Sequence, residues 1–210
     1  MPSGHRAVFT AILLLASFGA PATLAATARV PAGAARHEAP GPRCGGTLWR
    51  LETLSDPASL GVELHGKPAS IAAIAGLDRP SRIGTARSTP FQRQVWRLHA
   101  VVDRYRIASN GEIVLVLYDI ASAMYMNAYL ASPTCLGKSA RDRTGLIAAR
   151  RELISHCPRV QTAWQLLGAS VEIAGVGFWN PSRVTRGALP NGAELRPLTN
   201  FKIVSGCGVG

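Results

Sequence analysis

From residue 91 onward the chain alternates between apolar and polar positions. Val95, Arg97, His99 and Val101 interleave with Trp96, Leu98, Ala100 and Val102 in a run dense in β-forming residues, which predicts a long first strand over 91–107. Ser109-Asn110-Gly111 follows, and Asn-Gly between two such runs predicts a tight hairpin, because both residues tolerate positive φ. Ile113, Leu115 and Leu117 share one face of a second strand over 112–118, and a turn at 119–122 leads into a third over 124–130. Ser132-Pro133 ends this meander and the period changes. Leu146, Ile147, Leu153 and Ile154 recur at helical spacing, opposite Arg150, Arg151 and Glu152, which predicts an amphipathic helix over 142–156 closed by Cys157-Pro158. A fourth strand over 170–178 is apolar around Glu172, and its Gly175 and Gly177 point to a bulge or a close backbone approach. Pro190-Asn191-Gly192 reads as a turn, and a fifth strand starts at 193 and reaches 204.

The segment 44–90 is less regular. Trp49-x-Leu51 suggests a short strand, Asp56-Pro57 a turn, and 68–77 a short helix with Pro at its start and Ile71, Ile74 and Ala75 on one stripe. Three strands, a helix and two strands is the order of an OB-type barrel. The expected fold is therefore mainly β: a five-stranded OB-like barrel over 91–206 with one helix between strands 3 and 4, preceded by an irregular N-terminal extension over 44–90.

The first 43 residues change the picture of where this domain works. Arg6 precedes an apolar run over 8–16, and Ala20, Ala22 and Ala26 follow, the layout of a secretory signal over 1–26. The run is shorter than the roughly 20 residues a spanning helix needs. Cys is absent just after the small-residue site, so a lipoprotein anchor is not indicated, and nothing later suggests a transmembrane segment in the mature chain. The stretch 27–43, rich in Ala, Pro, Gly and Arg, reads as a disordered tether. A secreted or periplasmic location agrees with the four cysteines, Cys44, Cys135, Cys157 and Cys207, all in the mature part. Cys135 and Cys157 bracket the predicted helix, and Cys44 and Cys207 sit at the two ends of the folded region. Pairing by proximity favours Cys135 with Cys157 and Cys44 with Cys207. The spacings contain no C-x-x-C pair, so they indicate no zinc, and nothing in the sequence calls for another metal or a cofactor.

The formal charge of +11 permits anionic partners such as nucleic acid, acidic glycan or a membrane surface, without selecting among them. With only Lys67, Lys138 and Lys202 as lysines, the excess is almost all Arg. Over 82–106, Arg82, Arg87, Arg93, Arg97, Arg104 and Arg106 interleave with Phe91, Trp96 and Tyr105, either as a polyanion track or as the solvated face of an edge strand.

One stretch carries a family likeness. Residues 171–197 read VEIAGVGFWNPSRVTRGALPNGAELRP, and they resemble the C-terminal signature GVGFFD, HGQTG, PNGIELHP of a group of uncharacterised secreted bacterial OB-fold-like proteins. Cys44-Gly45 before Trp49, the tract 95–118 leading into LVLYD, and 128–135 before the helix fit the same group. The resemblance implies export and an OB-like fold, and implies no reaction. It also has departures: Asn180 stands in place of Asp, Arg183 and Arg196 in place of His, and Tyr129 in place of Glu. Asn and Arg cannot act as general bases near neutral pH, which weakens an enzymatic reading.

The remaining titratable groups form no catalytic constellation in sequence. His65, His99 and His156 are each isolated, and His156 suits a helix C-terminus. Asp103, Glu112, Asp119 and Glu194 could converge in a barrel, though turn caps and solvated faces explain them as well, and Glu194 could pair internally with an Arg. The densest candidate ligand-binding set is Phe178, Trp179, Asn180, Arg183, Arg186, Asn191 and Arg196, in which Arg forks suit anions and aromatic faces suit bases or sugar rings. The reading is a non-enzymatic exported module that binds an anionic or polymeric ligand, nucleic acid or glycan. The alternatives are a metal-dependent phosphodiesterase or nuclease, and an envelope structural or protein-interaction domain. The oligomeric state is not encoded in any of these features.

Overall fold

The computed structural model describes residues 44–182 and 184–207. The expected signal over 1–26 and tether over 27–43 lie outside the described residues. Short helix α1 (Trp49–Glu52) leads through a 3-10 turn (Pro57–Gly61) into β1 (Glu63–Pro68) and helix α2 (Ile71–Ala75). Then come β2 (Gln94–Ile107), β3 (Ile113–Asp119), β4 (Met124–Leu130), helix α3 (Arg143–His156), β5 (Gln165–Trp179) and β6 (Ala193–Ser205).

The strands form one mixed sheet ordered β1-β2-β3-β4-β6-β5, and β2 also pairs antiparallel with β5, so five of them close into a ring. β2 can serve both neighbours because it is long: it pairs with β5 from Val95 to Tyr105 and with β3 from Val101 to Ile107, with a register shift between Val102 and Arg104. The β4–β6 contact is parallel and rests on the pair Ala128 and Leu195.

Alternation fills the ring. Leu98, Ala100 and Val102 of β2, Ile113, Leu115 and Leu117 of β3, Met126, Ala128 and Leu130 of β4, and Leu195 and Leu198 of β6 belong to one buried cluster, joined by Ala149 and Leu153 of α3 and Ile71 and Ile74 of α2. A second cluster, including Leu54, Val62, Leu136 and Leu146, covers Val95, Ala174 and Val176. β5 is thus buried on both faces over its second half, which is why its sequence is apolar almost throughout.

Gly175 and Gly177 mark register shifts against β6, and Gly177 is also a close approach: a Cβ there would stand 2.1 Å from the Phe91 carbonyl oxygen. Gly177→Ala is expected to destabilise the fold by about 1–3 kcal/mol through overpacking against backbone, read as a lowered urea midpoint with unchanged m.

Several features differ from the sequence expectation. Trp49–Glu52 is helical, and β5 begins five residues before Ser170. The segment 44–90 is not only an extension, because β1 adds to the sheet parallel to β2. Buried Arg87 fastens this segment down: it donates to Asp56 Oδ2 at 2.8 and 3.1 Å, and to the carbonyls of Leu51 and Gln92 at 3.0 Å each. The disulfides also differ from the expected pairing: they join Cys44 to Cys135 and Cys157 to Cys207, with Cα separations of 5.3 and 4.5 Å. What sets the pairing is which segments the fold brings together: the turn after β4 meets the segment that leads into α1, and the end of α3 meets the end of β6.

Candidate binding cleft

The same alternation that fills the ring turns Val114, Val116, Asn127, Tyr129, Glu194 and Arg196 to its outer face. Arg104 and Arg106 of β2 stand opposite Val116 and Val114 and share that face, because the register shift at Asp103 brings them there. A cleft of about 490 Å³ opens on it. Its walls are the β2–β3 turn (Ala108, Ser109, Asn110), the β5–β6 loop (Thr185, Arg186) and Trp164. Arg106 lies over the Trp164 ring at 5.0 Å, and its buried Nε has no hydrogen-bond partner.

At the floor sits Arg196, which holds three carboxylates. Its Nε donates to Glu112 Oε1 at 3.1 Å and its Nη2 to Glu112 Oε2, while Nη1 lies 3.0 Å from Glu52 Oε1 and 3.9 Å from Glu194 Oε1. The guanidinium faces the Tyr129 ring at 4.4 Å and the Phe178 ring at 5.6 Å. Asn180 Nδ2 donates to Glu194 Oε2 at 3.1 Å. With three carboxylates for one cation in a buried place, the cluster favours protons. Burial pushes Glu194 up to about 7, against the pull of Arg196 and Asn180 and with the push of Glu112 and Glu52. Burial also raises Glu52, again against Arg196. Burial likewise raises the Tyr129 phenol, helped by Glu194. For Arg196 burial acts to lower the value, but Glu112, Glu52 and Glu194 together hold it above the ordinary one.

The candidate residues end in different places. Phe178 and Trp179 are both buried, so they offer no open face for a base or sugar. Trp179 joins the ring interior and donates its indole N–H to Thr89 Oγ1 at 2.9 Å, while Phe178 packs against Arg196. Asn191 is a fastener: its Nδ2 donates to the carbonyls of Ile74, Ala75 and Leu77 at the end of α2. Asn180 orients Glu194, and Arg196 is engaged by the three carboxylates. Arg186 is exposed and lines the cleft. Arg183 lies outside the described residues.

Of the four acids that could converge, Glu112 and Glu194 do, on Arg196. Asp103 pairs with Arg104, and Asp119 accepts from Ala121 N and Ser122 Oγ in the β3–β4 turn. Among the described residues no group of three or more His, Cys, Asp or Glu is arranged to hold a metal ion. His65, His99 and His156 are exposed, and His156 Nδ1 contacts the Glu152 carbonyl oxygen in the last turn of α3. Two contributors escaped the sequence reading. Glu52 reaches the cluster from α1, and Trp164 gives Arg106 its platform. Trp164 lies after α3, outside the basic, aromatic tract that ends at Arg106, and only the fold brings the two together.

Comparison of the chain with family models and with curated proteins returned no match.

Proposed function

We propose that the chain is an exported, non-enzymatic binding module built on an OB-like barrel, and that its cleft takes one strand of an anionic polymer. The observation that carries this reading is the position of the cleft. It lies over β3 and β4, between the β2–β3 turn and the β5–β6 loop, which correspond to the face and the two loops that OB folds use for oligonucleotides and oligosaccharides. Its rim chemistry fits such a ligand. Arg106 and Arg186 supply cationic donors, the Arg106 Nε still lacks an acceptor, and Trp164 supplies a ring beside them. Arg104, paired with Asp103, lies farther along β2 in a second hollow that also contains Tyr125 and Arg186. The net charge of +11 adds long-range attraction. The disulfides suit the oxidising compartment to which the N-terminal segment points. Among the described residues no helix is long and apolar enough to cross a membrane.

Fluorescence anisotropy with a labelled oligothymidylate of about 12 nucleotides tests the proposal, with heparin-like and cell-wall glycans as parallel ligands. Trp164→Ala is expected to weaken binding about 10-fold or more at unchanged thermal midpoint. Arg106→Ala with Arg186→Ala is expected to reduce the slope of log affinity against log salt by about 1.4 for a single strand. Glycan capture without oligonucleotide binding assigns the cleft to acidic glycans. Absence of binding to every polyanion at low salt overturns the proposal.

A further inference from the structure

A further cavity lies on the other side of the β2–β3 hairpin, under the C-terminal half of α3. It measures about 400 Å³ and is walled by Ile107, Ile113, Ile154, Pro158 and Val160, beside the Cys157–Cys207 disulfide. This is within the range of small-ligand sites and, unlike the cleft, it is mainly apolar. Two charged side chains line it, exposed Arg159 and, built into the wall, Arg150. Arg150 is nine-tenths buried and forms no ion pair within 4 Å among the described residues. Among the described residues its Nη1 makes long contacts of 3.3 and 3.2 Å to the carbonyl oxygens of Leu130 and Ala131, and the other end of the guanidinium is left to the cavity. The carboxylate that acts on it from farther away, Glu112, already gives both oxygens to Arg196.

A buried guanidinium normally has an anion against it, since desolvating the charge without one is costly. Elsewhere in this fold the rule holds: Arg87 has Asp56, and Arg196 has three glutamates. Arg150 has no such anion within 4 Å among the described residues. Burial pulls it below the ordinary guanidinium value, with Glu112 opposing. An anion entering the cavity would supply the missing partner, and the apolar wall dictates what must be attached to it.

We infer that this cavity is a binding site for a small amphiphile, an aliphatic chain ending in a carboxylate, with the carboxylate on Arg150 and the chain along Ile107, Ile113, Ile154 and Val160. Arg159, exposed and also in the lining, favours entry of an anion. The site is separate from the cleft, so it stands or falls independently of the polyanion reading.

Calorimetric titration of the full oxidised protein with octanoate, octanol and acetate tests it. Octanoate is expected to bind with a Kd of about 0.1–1 mM, and octanol and acetate more weakly. Arg150→Met is expected to weaken octanoate by about 10- to 100-fold, the range for a charged hydrogen bond. Should that variant fold poorly, Ile154→Glu serves instead. Ile154 is 53% exposed, so the change spares the core while placing a like charge at the mouth, and it is expected to weaken octanoate as well. Octanol binding as tightly as octanoate overturns the inference. So does octanoate affinity unchanged in the folded variant, or no binding of octanoate at millimolar concentration.

Discussion

Replacing Arg196 by Met is expected to lower the unfolding free energy by about 3–5 kcal/mol at pH 8, because it strips the bonded cation from a buried group of carboxylates. The guanidinium lies within 4 Å of Glu52, Glu112 and Glu194, and Glu112 and Glu194 are almost fully buried. Without it three like charges face one another in a place where solvent cannot screen them. The loss should therefore depend on pH. Even in the native protein the folded-state value of Glu194 is raised from 4.5 to about 7. A raised carboxylate binds its proton more tightly folded than unfolded, so its stabilising share is complete below about pH 4.5 and is lost as pH rises through about 7. In Arg196→Met the pull that opposes this rise is gone, so the carboxylates take up protons more readily and the penalty should shrink as pH falls from 8 to 5. Urea denaturation of both proteins at the two pH values measures this. An equal loss at both would mean that the carboxylates do not respond to the guanidinium. Adding Glu112→Gln to the variant should restore part of the stability at pH 8, since it removes the charge that Arg196 grips with two bonds.

Removing the Cys44–Cys135 bridge by double Ser substitution is expected to cost about 4–5 kcal/mol. Its 91-residue separation closes a long loop in the unfolded chain, and the cost of losing that constraint grows with loop length. The bridge also ties the segment that leads into α1 to the turn after β4, so its loss frees the strand of chain that delivers Glu52. Two readouts separate the consequences: the denaturation midpoint reports the lost constraint, and a flatter pH dependence of stability reports a weakened carboxylate cluster. Peptide mapping of the non-reduced protein should recover Cys44 with Cys135 and Cys157 with Cys207. Recovery of Cys135 with Cys157 would contradict the pairing that the fold presents.

Local pattern carried much of the fold. The hairpin from β2 to β3 was legible because period-2 alternation and Asn110-Gly111 point to the same structure, and α3 because its apolar stripe and closing Cys157-Pro158 agree. The glycines of β5 were legible because a strand interior has few other uses for them. β1 was not, since ELHGKP has little β preference of its own and forms a strand by lying parallel to β2. The aromatic pair Phe178-Trp179 looked like a platform because polar residues follow it. Neighbours in a strand point to opposite faces, and here each face is covered, one by the ring interior and the other by Arg196. The carboxylate cluster was half legible. Glu112, Glu194 and Arg196 stood out singly, but their meeting, and the arrival of Glu52 from α1, depend on contacts between segments far apart in sequence.

The single backbone pair between β4 and β6 gives the ring a seam. Elsewhere around its circumference the strands are laced by many paired residues, but here Ala128 and Leu195 pair alone, and their immediate neighbours Tyr129, Glu194 and Arg196 carry the charge cluster. The join is therefore fastened as much by side chains as by the ladder. A proton on Glu194 or an anion drawing on Arg196 therefore acts on the clasp itself.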